Sequence, residues 1–264
     1  LAFVFVFAAL FAPARAADLS RFSRFDSAST TVIDHSAWTA FLARHVKAPA
    51  APGEPARVAY AAATSEDKAA LAAYLDTLQA VRPTTLRREE AFAYWINLYN
   101  AATVKLILDN YPVSSIMKIR GRLFSIGPWD RKAATVEGVD LSFNDIEHKI
   151  LRAYFNDNRV HYALNCASIG CPDLKAEAWT AASLDADLDA AARRYVNSPR
   201  GVRVENGKLV ASSIYQWFGG DFGGTDEGRL AHFRRYADPS LAAALAGATS
   251  VRGYGYDWKL NEAR

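Results

Sequence analysis

The sequence predicts an α+β fold in which a helical N-terminal half packs on a small mixed or antiparallel sheet. Three observations carry the expectation. Apolar residues recur at helical spacing from Ser36 to Asn110, β-rich runs around turn dipeptides take over beyond Pro112, and no segment repeats at a fixed period.

The elements follow in order. Over residues 36–46, Trp38, Phe41, Leu42 and Val46 share one helix face behind Ser36 as N-cap. A second helix starts at Thr64, with Asp67 as a capping-box partner, carries Leu71, Tyr74, Leu75 and Leu78, and stops before Pro83. The third, residues 86–110, is apolar on nearly every side, which assigns it to the centre of the core. Short strands are expected at 115–119, and at 134–136 and 139–141 as a hairpin turning at Glu137-Gly138. Ser142 caps a helix over 143–154 that buries Ile146, Ile150 and Leu151, and residues 160–164 form a short strand. An amphipathic helix spans 180–196 with its acids near the start, as the helix dipole favours. Asn206-Gly207 between 202–205 and 208–211 is a strong hairpin signal. Helical pieces at 227–236 and 240–245 precede a tail, 251–258, that returns as a strand.

Composition narrows the function classes. The chain has 264 residues, 51% hydrophobic and 22% charged, which excludes disorder and low complexity. Its net charge of +3 is spread without a block of like charges, so no nucleic-acid partner is expected. Residues 1–11 are almost wholly apolar and lead into Ala12-Pro13-Ala14-Arg15-Ala16-Ala17, a small-x-small cleavage pattern. The run is far short of the roughly 20 residues that span a bilayer. A signal peptide over 1–16 is therefore expected, followed by a single domain over 17–264 that is periplasmic or secreted and soluble once the signal is removed. Phosphate-loop, dinucleotide-binding, nucleophile-elbow and zinc-protease motifs are absent, and no cofactor or metal is expected.

Two segments interrupt core-like sequence with polar residues, which must be satisfied when buried. In residues 92–101, Asn97 and Asn100 lie three apart on one helix face, beside Tyr94 and Trp95. Their amides either fix neighbouring carbonyls or line a site in which one orients an imidazole. In residues 161–172, His161 and Asn165 share a strand face and Cys166 stands where the chain enters a Gly and Pro loop through Ser168 to Cys171. Cys166 is then a thiolate nucleophile with His161 or His148 nearby, or one half of a disulfide with Cys171. A weaker alternative gathers His148, His161, Cys166 and Cys171 as metal ligands, although their spacing matches no standard zinc arrangement. His35, His45 and His232 are expected on polar surface helices and receive no role, and the glycine-rich stretch 219–224 is expected to be a flexible loop, a candidate lid.

The run Ala93-Tyr94-Trp95-Ile96-Asn97-Leu98-Tyr99-Asn100-Ala101, the stretch Asp145-Ile146-Glu147-His148, residues 161–172 and Tyr256-Asp257-Trp258 resemble the family called domain of unknown function 547, over about residues 34–261. A more distant resemblance, to the papain and transglutaminase-like thiol enzymes, implies a Cys at the start of a central helix and a His on a later strand. Here the central helix offers Asn97 and Asn100 instead of a Cys. Two functions remain open. One is a thiol-dependent hydrolase or acyl transferase acting on an envelope peptide or amide, with Cys166 as nucleophile, His161 as base and Asn97 or Asn100 orienting it, and with Tyr94, Trp95, His148, Asn165 and Ser168 as binding residues. The other is a non-catalytic periplasmic module that binds an envelope peptide, glycan or protein, with Cys166 and Cys171 as a structural pair.

Overall fold

Three helices, α1 (Ser36–His45), α2 (Ser65–Ala80) and α3 (Arg88–Asp109), build the N-terminal half of the computed structural model, which describes residues 18–121 and 127–263. The expected signal peptide lies outside the described residues. Thr64 closes a full capping box with Asp67 at the head of α2. Asp67 also accepts a hydrogen bond from Nε2 of His45 at 3.0 Å, which ties α1 to α2. Helix α3 is buried without a break from Glu90 to Val104, as an all-round apolar helix must be. Its Trp95 meets the ring of Phe22 edge-on at 5.2 Å. Burying a side chain of this class stabilises by roughly 1.5–3 kcal/mol.

The strands are divided among three small sheets. β1 (Val46–Lys47) pairs with β2 (Arg57–Val58), and β3 (Lys132–Val136) forms a hairpin with β4 (Val139–Ser142) whose Glu137 and Gly138 both have positive φ. The turn type is the one whose twist matches a two-residue hairpin. Between the second and third sheets come a π-helix (Asp145–Phe155) and two further helices, α4 (Val160–Ala163) and α5 (Leu184–Val196). β5 (Val202–Glu205) and β6 (Lys208–Ser212) turn at Asn206-Gly207, in the register Glu205 opposite Lys208. Helices α6 (Ile214–Trp217), α7 (Asp226–Tyr236) and α8 (Pro239–Leu245) follow. The tail then returns as β7 (Gly253–Gly255), parallel to β6, so the third sheet is mixed. The architecture is α+β.

Two hydrophobic clusters fill the interior. One gathers α1 to α3, the β3–β4 hairpin and the π-helix, and the other gathers α5 to α8 with the β5–β6 hairpin and Tyr162. Among the described residues no helix is long and apolar enough to cross a membrane.

Several local expectations are corrected. Residues 115–119 make a 3-10 turn at Ile116–Lys118 because the Ser115 hydroxyl accepts from the amide of Met117 and curls the chain. Residues 160–164 are a helical turn followed by extended backbone at Leu164. Among the described residues no strand lies alongside them. Instead Asn100 supplies both halves of a ladder, donating to the carbonyl of Ala163 and accepting from the amide of Asn165. His35, His45 and His232 are buried, each bonded through one ring nitrogen, to Tyr74, Asp67 and Tyr162 respectively, from neighbouring elements. Residues 219–224 are pinned, with Gly219–Phe222 forming a 3-10 turn and Phe222 buried.

Candidate functional site

Ser142 and Asp145 exchange side-chain and backbone hydrogen bonds at the entry of the π-helix, a reciprocal cap of the capping-box kind. Such wide-turned helices are rare and tend to occur at functional sites. This one aims Glu147 and His148 into a single cavity of about 270 Å³, which neighbouring positions on an ordinary helix, about 100° apart, do less readily. The cavity is also lined by His161, Cys166 and Cys171, and its aromatic wall is built from Tyr99, Trp129, Trp217, Phe218, Tyr256 and Trp258.

The wall is a packed array. Trp217 stacks on Trp258 with ring centres 5.6 Å apart, Tyr256 lies 4.7 Å from Trp258 and 4.9 Å from Trp217, and Trp129 approaches Trp258 at 6.3 Å. Gly170 makes this possible. A Cβ there would sit 2.9 Å from the Tyr256 ring and from the amide of Asp257, so only glycine lets the tail cross the cysteine loop. The crossing brings the Tyr256 hydroxyl to 2.9 Å from Sγ of Cys166 and 3.1 Å from the hydroxyl of Ser168.

Cys166 and Cys171 are joined as a disulfide. The four residues between them turn through Ala167 in the left-handed region, φ 57°, where the Asn165 side chain accepts the Ala167 amide and the Asn261 amide donates to the Ala167 carbonyl. In this state Cys166 has no thiol, and its sulfur keeps the Ser168 and Tyr256 hydroxyls as polar partners. The alternative metal set is likewise corrected. Its two sulfurs are bonded to each other, and among the described residues no group of three or more His, Cys, Asp and Glu is arranged to hold a metal ion.

The two asparagines of α3 hold backbone. Asn97 donates to the carbonyl of Trp179 at 2.8 Å and accepts from its amide at 3.0 Å. Asn100 does the same for Ala163 and Asn165, so neither amide orients an imidazole. Tyr94 and Trp95 are fully buried in the core, with the Tyr94 hydroxyl on the Leu78 carbonyl, and they do not reach the cavity. Asn165 and Ser168 are buried behind the wall.

The residue that orients His161 is Asp221. Nε2 of His161 donates to its carboxylate at 2.7 Å, while Arg152 forks onto both oxygens at 2.6 and 2.9 Å. Partial burial pushes the Asp221 carboxyl up, but the bonds from His161 and Arg152 outweigh it and hold the group well below the ordinary carboxylate range. Burial also lowers His161, against the pull of Asp221, and lowers His148 despite its neighbour Glu147. Glu147 is pushed up by burial, opposed by His148 and by the Tyr99 hydroxyl that donates to it at 2.9 Å. The His161 ring stacks on Phe218 at 4.3 Å, and Arg152 lies over the same ring.

Sequence reasoning missed Asp221, Arg152, Glu147 and most of the aromatic wall. A single carboxylate among the glycines of 219–224 was the available signal for Asp221, and the alternation of Tyr256 with Trp258 was the signal for the wall.

A family model described as a protein of unknown function, DUF547, matches residues 83–196. No curated protein and no solved structure matches the chain. The matched segment contains Tyr99, Glu147, His148, His161 and both cysteines, whereas Trp217, Phe218, Tyr256 and Trp258 complete the cavity from outside it and Asp221, also outside it, holds His161.

Proposed function

Because this chain belongs to the DUF547 family over residues 83–196, we propose a function for it from the cleft: it is a ligand-binding module whose aromatic cavity receives a small group of an envelope peptide or glycan, with the Cys166–Cys171 disulfide as a fixed part of the wall. One observation carries the reading. The groups expected to do chemistry are engaged in holding structure, Cys166 by its disulfide and Asn97 and Asn100 by backbone, while the aromatic wall stays open to a ligand. Trp217 is 48% exposed and packs on the half-buried rings of Tyr256 and Trp258, so the exposed apolar surface is a contiguous patch, the kind that marks an interaction site, and not a lone side chain. The disulfide and the apolar leader both favour an oxidising, extracytoplasmic compartment.

A fluorescence titration of the oxidised protein with short peptides and with glycan oligomers tests this. Quenching by one class, abolished in Trp217→Ala, is the expected result. Absence of any response across both classes would overturn it.

A second reading is favoured by a different observation. His161, oriented by Asp221, lines the same cavity as Cys166. On reduction, the Cys166 thiol and the His161–Asp221 pair would supply the nucleophile and base of a thiol-dependent hydrolase or acyl transferase acting on a peptide or amide. Its test is turnover of an ester or amide by the reduced protein only, lost in Cys166→Ser.

A further inference from the structure

One carboxylate in the cleft lacks a cation. The side chain of Glu147 is only 16% exposed and lines the cavity, its hydrogen-bond donor among the described residues is a neutral tyrosine hydroxyl, and its nearest basic atom is Nδ1 of His148 at 3.9 Å. The guanidinium of Arg152 is forked onto Asp221. Burial lowers both His148 and His161 and so favours their neutral forms. The charges around the cavity are then one guanidinium against two carboxylates, and the unbalanced one is Glu147. A buried anion of this kind is costly unless a counter-charge arrives.

The surrounding wall specifies the kind of cation. Trp129, Trp217, Tyr256 and Trp258 present rings around the same space, and ring faces attract positive charge, most strongly when water is excluded. A guanidinium brings five N–H donors and a primary ammonium three, each needing an acceptor. Among the described residues the only side-chain amide or carboxylate in the lining beside Glu147 is Asn144, while Asp221, behind His161, already takes three N–H bonds from Arg152 and His161. A fully alkylated ammonium needs no acceptor. A neutral pyranose ring, which also stacks on aromatic faces, would leave the Glu147 charge without a counter-charge.

We propose that the cleft takes a quaternary ammonium group, its charge beside the Glu147 carboxylate and its methyl groups against Trp129, Trp217, Tyr256 and Trp258. The assignment rests on the cleft being a ligand site, as proposed above. The group could belong to a free small cation or to a methylated amine on a peptide.

Calorimetric titration of the oxidised full chain with choline, with its uncharged carbon isostere dimethylbutanol, and with a short peptide bearing one trimethyllysine separates the possibilities. Choline or the peptide should bind at least about tenfold more tightly than the isostere. The tighter of the two identifies the source. Glu147→Gln, which keeps an acceptor for Tyr99, should erase the preference for charge while the isostere still binds. Trp217→Ala should weaken both cation and isostere. Equal binding of choline and isostere to the unmodified protein would overturn the cation assignment and leave the cleft a ligand site. Failure of all three probes, together with no fluorescence response to neutral glycan oligomers or peptides, would overturn both.

Discussion

Asp221 accepts a hydrogen bond from Nε2 of His161 at 2.7 Å, so a residue from a glycine-flanked turn fixes an imidazole sixty positions earlier in the chain. Arg152 shares the same carboxylate, and the trio joins the π-helix, α4 and the 219–224 turn into one support behind the cleft.

Asp221→Ala should destabilise the protein by about 1.5–3 kcal/mol, because it leaves a partly buried guanidinium and a buried imidazole unpaired. Urea unfolding measures it. A change under about 0.5 kcal/mol, the range of ordinary surface substitutions, would mean that the contact does not hold the turn.

Asn97→Leu should cost roughly 1–3 kcal/mol, since both the carbonyl and the amide of Trp179 lose their partner. Thermal or urea unfolding checks this, and Asn97→Asp should rescue only the half that accepts from the amide.

Stability should fall as pH drops from about 6.5 toward 4. His35 and His232 are held neutral by burial, each pushed down to about 4 from 6.5. A folded value below the unfolded one means that protons favour the unfolded chain, so the contribution is complete above 6.5 and is lost as pH falls through the folded value. Each imidazole is worth of the order of 3 kcal/mol over that window. Asp221, also held low, extends the loss to more acid conditions. Unfolding free energies flat between pH 7 and pH 4.5 would contradict this account.

Local pattern was enough for elements whose cause is local. The Thr64 box, the Asn206-Gly207 turn and the all-round apolar helix α3 appear where the sequence indicates them. It failed where a distant group decides. Residues 160–164 have the composition of a strand but find the Asn100 amide in place of a ladder, and the three histidines with polar neighbours are buried against Tyr74, Asp67 and Tyr162. Of the candidate site, His161, His148 and the cysteines were legible as polar interruptions. Asp221 was not, because nothing in a glycine-rich stretch indicates which imidazole it will meet. The aromatic wall was hidden for the same reason, its rings coming from α3, the approach to the β3–β4 hairpin, the end of α6 and the tail.

Trp217→Ala should leave unfolding free energy within about 0.5 kcal/mol of the unmodified protein, because the ring is 48% exposed, yet abolish ligand quenching. Loss of stability with binding intact would make Trp217 a packing residue only.

The central claim is that the Cys166–Cys171 pair is a wall of a binding cleft and not a nucleophile with a neighbour. Thiol titration of the purified protein under non-reducing conditions, first native and then denatured, tests it most directly. The account predicts no reactive thiol in either state and two after reduction, with removal of the pair costing about 2 kcal/mol for so short a loop. A single fast-reacting thiol in the native, unreduced protein would contradict it.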